Sequence, residues 1–349
     1  IIPAVMFALG GPGTLSDGMS LLTPEQANLF SMDAILNQGA PFFVAVLAYA
    51  IGNQTISQRL FAVREDHIKP TFITATIGYG AIVIGLGMIG LMALMTGMEP
   101  IDGDMNNLIP QMVSMYLSPV FIGLFFILVI GSLSSTADSD LSAMSAIVMA
   151  DVYGKNIAKH KPDPTKMLFI GRLTMIVATL IGVILASFSM DILIMLVFVG
   201  ALWGAIVFPV IASCFWDRVT NTAFTSAVIA GLVMFCVARF ELMPLVGVVG
   251  GLFELLAAVG GGVVLGLMAF GFCGRRVGVI FGALSAIVLA YFCVGFLRDY
   301  TVLLASLMAY GVSTIVCIGV SLMSSSKFDF SQIDQKVINY DPAKTASQS

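Results

Sequence analysis

Nine windows of this chain, each long enough to cross a bilayer as a helix, contain no Asp, Glu, Lys or Arg: 34–58, 71–98, 105–137, 173–190, 192–216, 219–238, 255–274, 277–297 and 300–326. A helix that crosses the hydrocarbon core needs about 20 mainly apolar residues. Charged residues make up 10 % of the whole chain and hydrophobic residues 58 %. Soluble domains carry roughly 25 % charged residues, so water cannot be the solvent for most of this surface. The composition excludes a soluble enzyme, a nucleic-acid-binding protein and a disordered chain. It predicts an all-α integral membrane protein with the lipid bilayer as its main partner.

The basic residues test the span count, because cytoplasmic loops carry the excess of Lys and Arg. Alternating the loops puts Arg59, Arg64, Lys69, Lys155, Lys159, Lys161, Lys166, Arg172, Arg218, Arg275, Arg276, Lys327, Lys336 and Lys344 on one side, 14 in all. Two, Arg239 and Arg298, fall on the other. A wrong count would scramble this bias. The order predicts a multi-pass protein of the cell membrane (plasma or inner), with an extracellular loop over 10–39 and a cytoplasmic, poorly ordered polar tail over 324–349. Residues 1–9 (IIPAVMFAL) are apolar, too few to span, and read as the end of a truncated transmembrane helix rather than a signal peptide. The glycine-rich stretch 242–274 is long for one span. An interfacial or re-entrant piece over 243–254, followed by a helix, is expected there.

The five cysteines (Cys214, Cys236, Cys273, Cys293, Cys317) lie in apolar stretches without CxxC spacing and read as small buried hydrophobes. His67 and His160, the only histidines, sit in polar loops and are too few to build a catalytic metal site.

Two stretches interrupt the apolar pattern. In the third window Ser132, Ser135 and Thr136 stand at i, i+3 and i+4, which places them on one helix face. Neutral hydroxyl and carbonyl oxygens suit a small monovalent cation that must bind and leave, whereas a carboxylate cage suits Ca²⁺. The same hydroxyls can instead bond back to their own helix or pack a helix crossing. Asp138 and Asp140 follow directly. Ionisable residues within a span are rare and face a bundle interior or a water-filled path. They read either as an ion or proton path or as solvated residues of a cytoplasmic vestibule. A continuous helix through this region would run about 35 residues, or roughly 50 Å, beyond the ~30 Å core.

The first window turns polar at Gly52-Asn53-Gln54. Such a helix can break and line a cavity with free backbone groups, or simply end at Gly52 with a polar exit loop. Trp203 and Pro209 read as parts of a kinked, packed helix, and Glu254 as a buried acid.

With these stretches in hand, the chain resembles the sodium:solute symporter family. Asn53-Gln54 through Gln58-Arg59 and Arg64 is similar to the polar segment that closes the family's sixth core helix. Ser134-Ser135-Thr136 through Asp151-Val-Tyr153 resembles its eighth, and Phe215-Trp216-Asp-Arg218-Val-Thr220 the exit of its tenth. The order and sidedness of the helices agree, and the resemblance covers residues 40–220 well.

The resemblance implies an inverted-repeat fold of five plus five core helices. Residues 40–216 would form the second repeat, 217–323 the C-terminal peripheral helices, and the first repeat would be missing from this chain. It implies a sodium ion as cofactor, with hydroxyl ligands from Ser135 and Thr136 and a carbonyl ligand from Ser132. Tyr49 aligns roughly with an aromatic gate under the substrate and Asn53 with a nearby polar position. The implied activity is transport, not catalysis: sodium entry coupled to uptake of a small polar solute by alternating access. Urea, amino acids and carboxylates are among the solutes such proteins carry. N-terminal helices outside this chain would be needed to complete the transporter. The rival expectations are a proton-coupled symporter of the same fold, motivated by Asp138 and Asp140, and a passive solute channel.

Overall fold

The computed structural model of the chain describes residues 2–333 except 25, 26, 29, 160, 162, 189–191 and 332. In chain order the helices are α1 (Ile2–Ala8), α2 (Pro12–Gly18), α3 (Met32–Ala34), α4 (Ala40–Gly52), α5 (Gln54–Ala62), α6 (Ile68–Met95), α7 (Leu108–Tyr116), α8 (Pro119–Ile147), α9 (Pro164–Ala186), α10 (Ile192–Phe215), α11 (Asn221–Arg239), α12 (Gly247–Cys273), α13 (Arg275–Cys293) and α14 (Thr301–Met323). A π-helical stretch, Ile35–Gly39, joins α3 to α4, and a second, Val148–Ile157, prolongs α8. Among the described residues there is no strand, and nine helical segments are long and apolar enough to cross a membrane, one for each charge-free window.

Local sequence sets the helix ends. The Asp163 side chain accepts from the backbone N–H of Thr165 at 2.9 Å, with Pro164 opening α9 behind it. Thr220 caps α11 in the same way through Ala223 N–H at 3.1 Å. At the other end of α6, Gly97 adopts φ +67, and Met98 N–H reaches back to Ala93 O at 3.0 Å. This left-handed cap satisfies carbonyls that the helix end would otherwise leave open.

The chain divides into two compact units. One comprises Ile1–Ser31 and Gln54–Ile192. Its core lies where α1 meets α6 and α7, around Val5, Ile89, Met92 and Met112. In the same unit α9 packs on the end of α8. A Cβ on Gly171 would lie 2.8 Å from Ser145 Oγ, so a larger residue here would displace that side chain.

The other unit comprises Met32–Asn53 and Leu193–Ser349. Its core runs from Val44 and Ala48 through Ala205, Phe235 and Ala257 to Leu304 and Met308. Glycines carry the packing of α12. A Cβ on Gly262 would lie 2.6 Å from Ala286 Cβ and Gly282 O on α13. A Cβ on Gly260 would run into the Leu307 carbonyl of α14, and one on Gly311 into the Leu256 carbonyl of α12. Between membrane helices there is no hydrophobic driving force, so close backbone contact and dispersion supply the attraction.

Several expectations change. No re-entrant piece occupies 243–254; α12 runs unbroken from Gly247, because its glycines pack against α13 and α14 instead of breaking the helix. The window 105–137 divides at Leu117-Ser118, both extended, since the residue before Pro119 is pushed out of helical geometry. Of the cysteines only Cys317 is fully buried; Cys214 and Cys273 are exposed on the apolar surfaces of their helices. The first tail residues are held in place, with Phe328 N–H donating to Asp217 O at 2.7 Å and Lys327 Nζ 3.4 Å from Asp217 Oδ2. His67 lies in a turn beside Asp66, at 3.0 Å. His160 and the tail from 334 to 349 lie outside the described residues.

Candidate ion and solute site

The predicted ion ligands lie on α8, which stays helical through them. Ser132, Ser135, Thr136, Asp138 and Asp140 are all exposed. Thr136 Oγ1 donates to the Ser132 carbonyl at 3.1 Å, and Ser139 Oγ to the Ser135 carbonyl at 2.9 Å. These are the back-bonds that hydroxyls make within a helix. They do not exclude ion binding, because a hydroxyl that donates its proton keeps two lone pairs. The bond sets two of the three predicted oxygens, the Ser132 carbonyl and the Thr136 hydroxyl, side by side. Arg59 on α5 donates from Nη2 to Ser139 Oγ at 3.0 Å, one turn beyond Ser135. Asp138 and Asp140 make no ion pair among the described residues.

The hydroxyls of this face lie on a stretch of α8 that no described residue covers. The most apolar window of the Pro119–Ile157 segment is 0 % buried, against 67 % for that of α14. Hydroxyls and carboxylates that lie at membrane depth face protein or a water-filled cavity rather than lipid.

The second cluster surrounds the break after α4. Asn53 is extended, at φ −82 and ψ 123, and its N–H caps Tyr49 O at 3.0 Å. Helix resumes at Gln54, so the polar stretch is a broken helix rather than an exit loop. Such a break takes the last carbonyls of α4 and the first N–H groups of α5 out of a helical ladder. Asn53 is 8 % exposed and Thr55 5 %. On the near side of the break Tyr49 stacks on Trp203 of α10, with ring centroids 4.6 Å apart and planes at 29°. Gly52 lies against the same indole, where a Cβ would sit 3.5 Å from Trp203 Cβ. Sequence reasoning treated Trp203 as packing alone. Its partner is remote in the chain, and no local pattern joins the two. The α8 cluster and this aromatic pair belong to different units.

Glu254 is the other group that the sequence left unassigned. It is fully buried and accepts from Gly295 N–H at 2.8 Å, Arg298 N–H at 3.1 Å, Arg298 Nε at 3.2 Å and Arg298 Nη2 at 3.0 Å. One carboxylate thereby holds the whole turn before α14. Its hydrogen bonds raise the Arg298 guanidinium above its ordinary range, so that side stays charged. Glu254→Leu strands a guanidinium and two backbone N–H groups, and Glu254→Gln keeps acceptor oxygen for only some of them. Thermal midpoints in nanodiscs should fall for both, further for Leu, and Glu254→Leu/Arg298→Leu should recover part of the loss. Equal midpoints for all four proteins would show that the knot contributes nothing.

The family model for the sodium:solute symporter family matches residues 1–231. A high-affinity proline transporter of Bacillus subtilis is 23 % identical over 66 % of this chain and 50 % of its own length. A sodium/pantothenate symporter of Haemophilus influenzae is 22 % identical over 66 % and 49 %. A sodium/proline symporter of Staphylococcus aureus is 24 % identical over 73 % and 52 %. The chain spans about half the length of the curated relatives it matches. No solved structure gives a significant match. The family match runs through both clusters, from α1 into α11, and on that ground the chain belongs to the sodium:solute symporter family.

Proposed function

We propose that this chain carries the ion-binding and gating helices of a sodium-coupled symporter that takes up a small polar solute by alternating access. The observation that carries the reading is the α8 face, where exposed hydroxyls and a carbonyl stand together on a helix otherwise fit for lipid. Ser135 and Thr136 supply hydroxyl ligands to sodium and Ser132 its carbonyl. Further helices cover this face and complete the ion shell. Tyr49, stacked on Trp203, is the gate beside the solute, and Asn53 lies next to it at the break. Residues 40–216 act as the second repeat, 217–323 as peripheral helices, and the tail from 324 lies in the cytoplasm of a cell-membrane protein.

The named solutes of the relatives, proline and pantothenate, both bear a carboxylate. A small carboxylate-bearing metabolite is therefore the solute class. Sodium entering down its gradient gains about 2.3 kcal/mol per charge per 100 mV from the membrane potential alone. Its binding favours the outward-open state and prepares the solute site; closure then releases both inward.

The test is uptake of radiolabelled proline by the complete transporter in proteoliposomes, with sodium replaced by choline at constant pH. Uptake should stop. Uptake driven by a pH gradient alone would support proton coupling through Asp138 and Asp140, whose carboxylates make no ion pair among the described residues. Equilibration without any cation gradient would mark a passive channel.

A further inference from the structure

Among the described residues Tyr310 of α14 is the largest side chain buried completely, and neither cluster above uses it. Its phenol donates to the backbone carbonyl of Val44 on α4 at 2.9 Å. Its ring lies against α10, where a Cβ on Gly204 would come within 2.7 Å of Cε2 and 2.8 Å of Cδ2. Only glycine at 204 lets the ring approach this closely. One side chain thus holds α4 by its oxygen and braces α10 by its ring.

The two points it touches flank the aromatic pair. Gly204 follows Trp203, and Val44 lies little more than one helical turn before Tyr49. Ala45 and Gly200 close the same interface from the next position. The overlap of Tyr49 on Trp203 therefore depends on the separation of α4 and α10, which Tyr310 bridges. Phenylalanine would fill the same volume without requiring an acceptor. What the hydroxyl adds is a bond to another helix, made to a carbonyl whose second lone pair is free for it.

We propose that Tyr310 is a positioning residue for the gate: it ties α4 to α10 and keeps the Tyr49–Trp203 pair stacked. The inference rests on reading that pair as a gate. A solute passing the broken helix must part the two rings. They part when α4 moves from α10, and that step gives up the Tyr310–Val44 bond.

The chain contains two tryptophans, Trp203 and Trp216. In a Trp216→Phe background of the full chain in lipid nanodiscs, Trp203 is the sole indole. Acrylamide quenching of its fluorescence then reports how open the pair is. Tyr310→Phe keeps the ring on Gly204 and loses only the cross-helix bond. It should raise the opened population about five-fold, the effect of one neutral hydrogen bond, with helix content retained. Ser306→Ala removes another buried α14 hydroxyl, one that bonds Val302 of its own helix, and should leave quenching unchanged. Unchanged quenching in Tyr310→Phe overturns the inference. An equal rise in Ser306→Ala also overturns it, because the effect would then be general loosening of α14. If Tyr310→Phe does not fold, Gly204→Ala pushes the ring off α10 and carries the same expectation and the same overturning result. The readout needs neither sodium nor solute. Loss of sodium dependence in uptake would therefore remove the proposed function and leave this inference standing, and unchanged quenching would do the reverse.

Discussion

Thr136→Ala in the complete transporter should raise the sodium concentration for half-maximal uptake by about ten-fold or more. A polar ligand to a charged group is worth about 1.5–3 kcal/mol, and each 1.4 kcal/mol is a factor of ten. The Thr136 hydroxyl sits 3.1 Å from the Ser132 carbonyl, so on the proposed reading its removal deletes one ligand and unpairs another from its neighbour. Ser135→Ala should act in the same direction. Ser132→Ala should do little, because the carbonyl proposed as its ligand belongs to the backbone. All three side chains are exposed on α8, so none of these changes opens a cavity or unfolds the helix. A plain loss of folding would lower maximal uptake and leave the half-saturating concentration alone. Titration of sodium at saturating solute separates the two. An unmoved sodium dependence in Thr136→Ala removes that residue from the site.

Gly260→Val should abolish the packing of α12 on α14, with little monodisperse protein recovered. The added carbon meets the Leu307 carbonyl, a backbone atom that cannot rotate aside as a side chain can. Overpacking against side chains typically costs about 1–3 kcal/mol, and backbone collision sits at or beyond the upper end. Gly311→Val should fail in the same way from the opposite helix, against the Leu256 carbonyl. Gly271 lies on α12 with nothing within 4 Å of its Cβ position. Gly271→Ala should therefore be neutral or gain up to about 1 kcal/mol of helix propensity. The opposite signs at Gly260 and Gly271 make the comparison a test of packing rather than of glycine content. Size-exclusion profiles and thermal midpoints would read it.

The spans were legible because lipid imposes a length and forbids charge, and both conditions can be checked residue by residue. The hydroxyl face followed from helical spacing at Ser132, Ser135 and Thr136. The break at Asn53 followed from polarity where an apolar helix should continue. What escaped depends on contacts between residues far apart in the chain. Trp203 carries no mark of Tyr49, Tyr310 none of Val44, and Glu254 none of the turn at Gly295 and Arg298. The glycines of α12 misled for a related reason. In water a run such as Gly260-Gly261-Gly262 weakens a helix, whereas between membrane helices it admits a neighbour's backbone.

The helix formed by α8 and its π-helical continuation runs from Pro119 to Ile157 as one 39-residue rod. From Ser135 to its end the rod extends about 33 Å at 1.5 Å per residue. A tilt of about 10° pivoting near the hydroxyls would sweep the tip through about 6 Å on the same geometry. The Lys155 side chain near that tip is 62 % exposed, and its one ion pair among the described residues is to Asp151 a turn before it, so it travels with the rod. Ion occupancy that alters the angle of α8 by a small amount would thus appear at the Ile157 end as a leveraged displacement, large enough for a spin label there to follow.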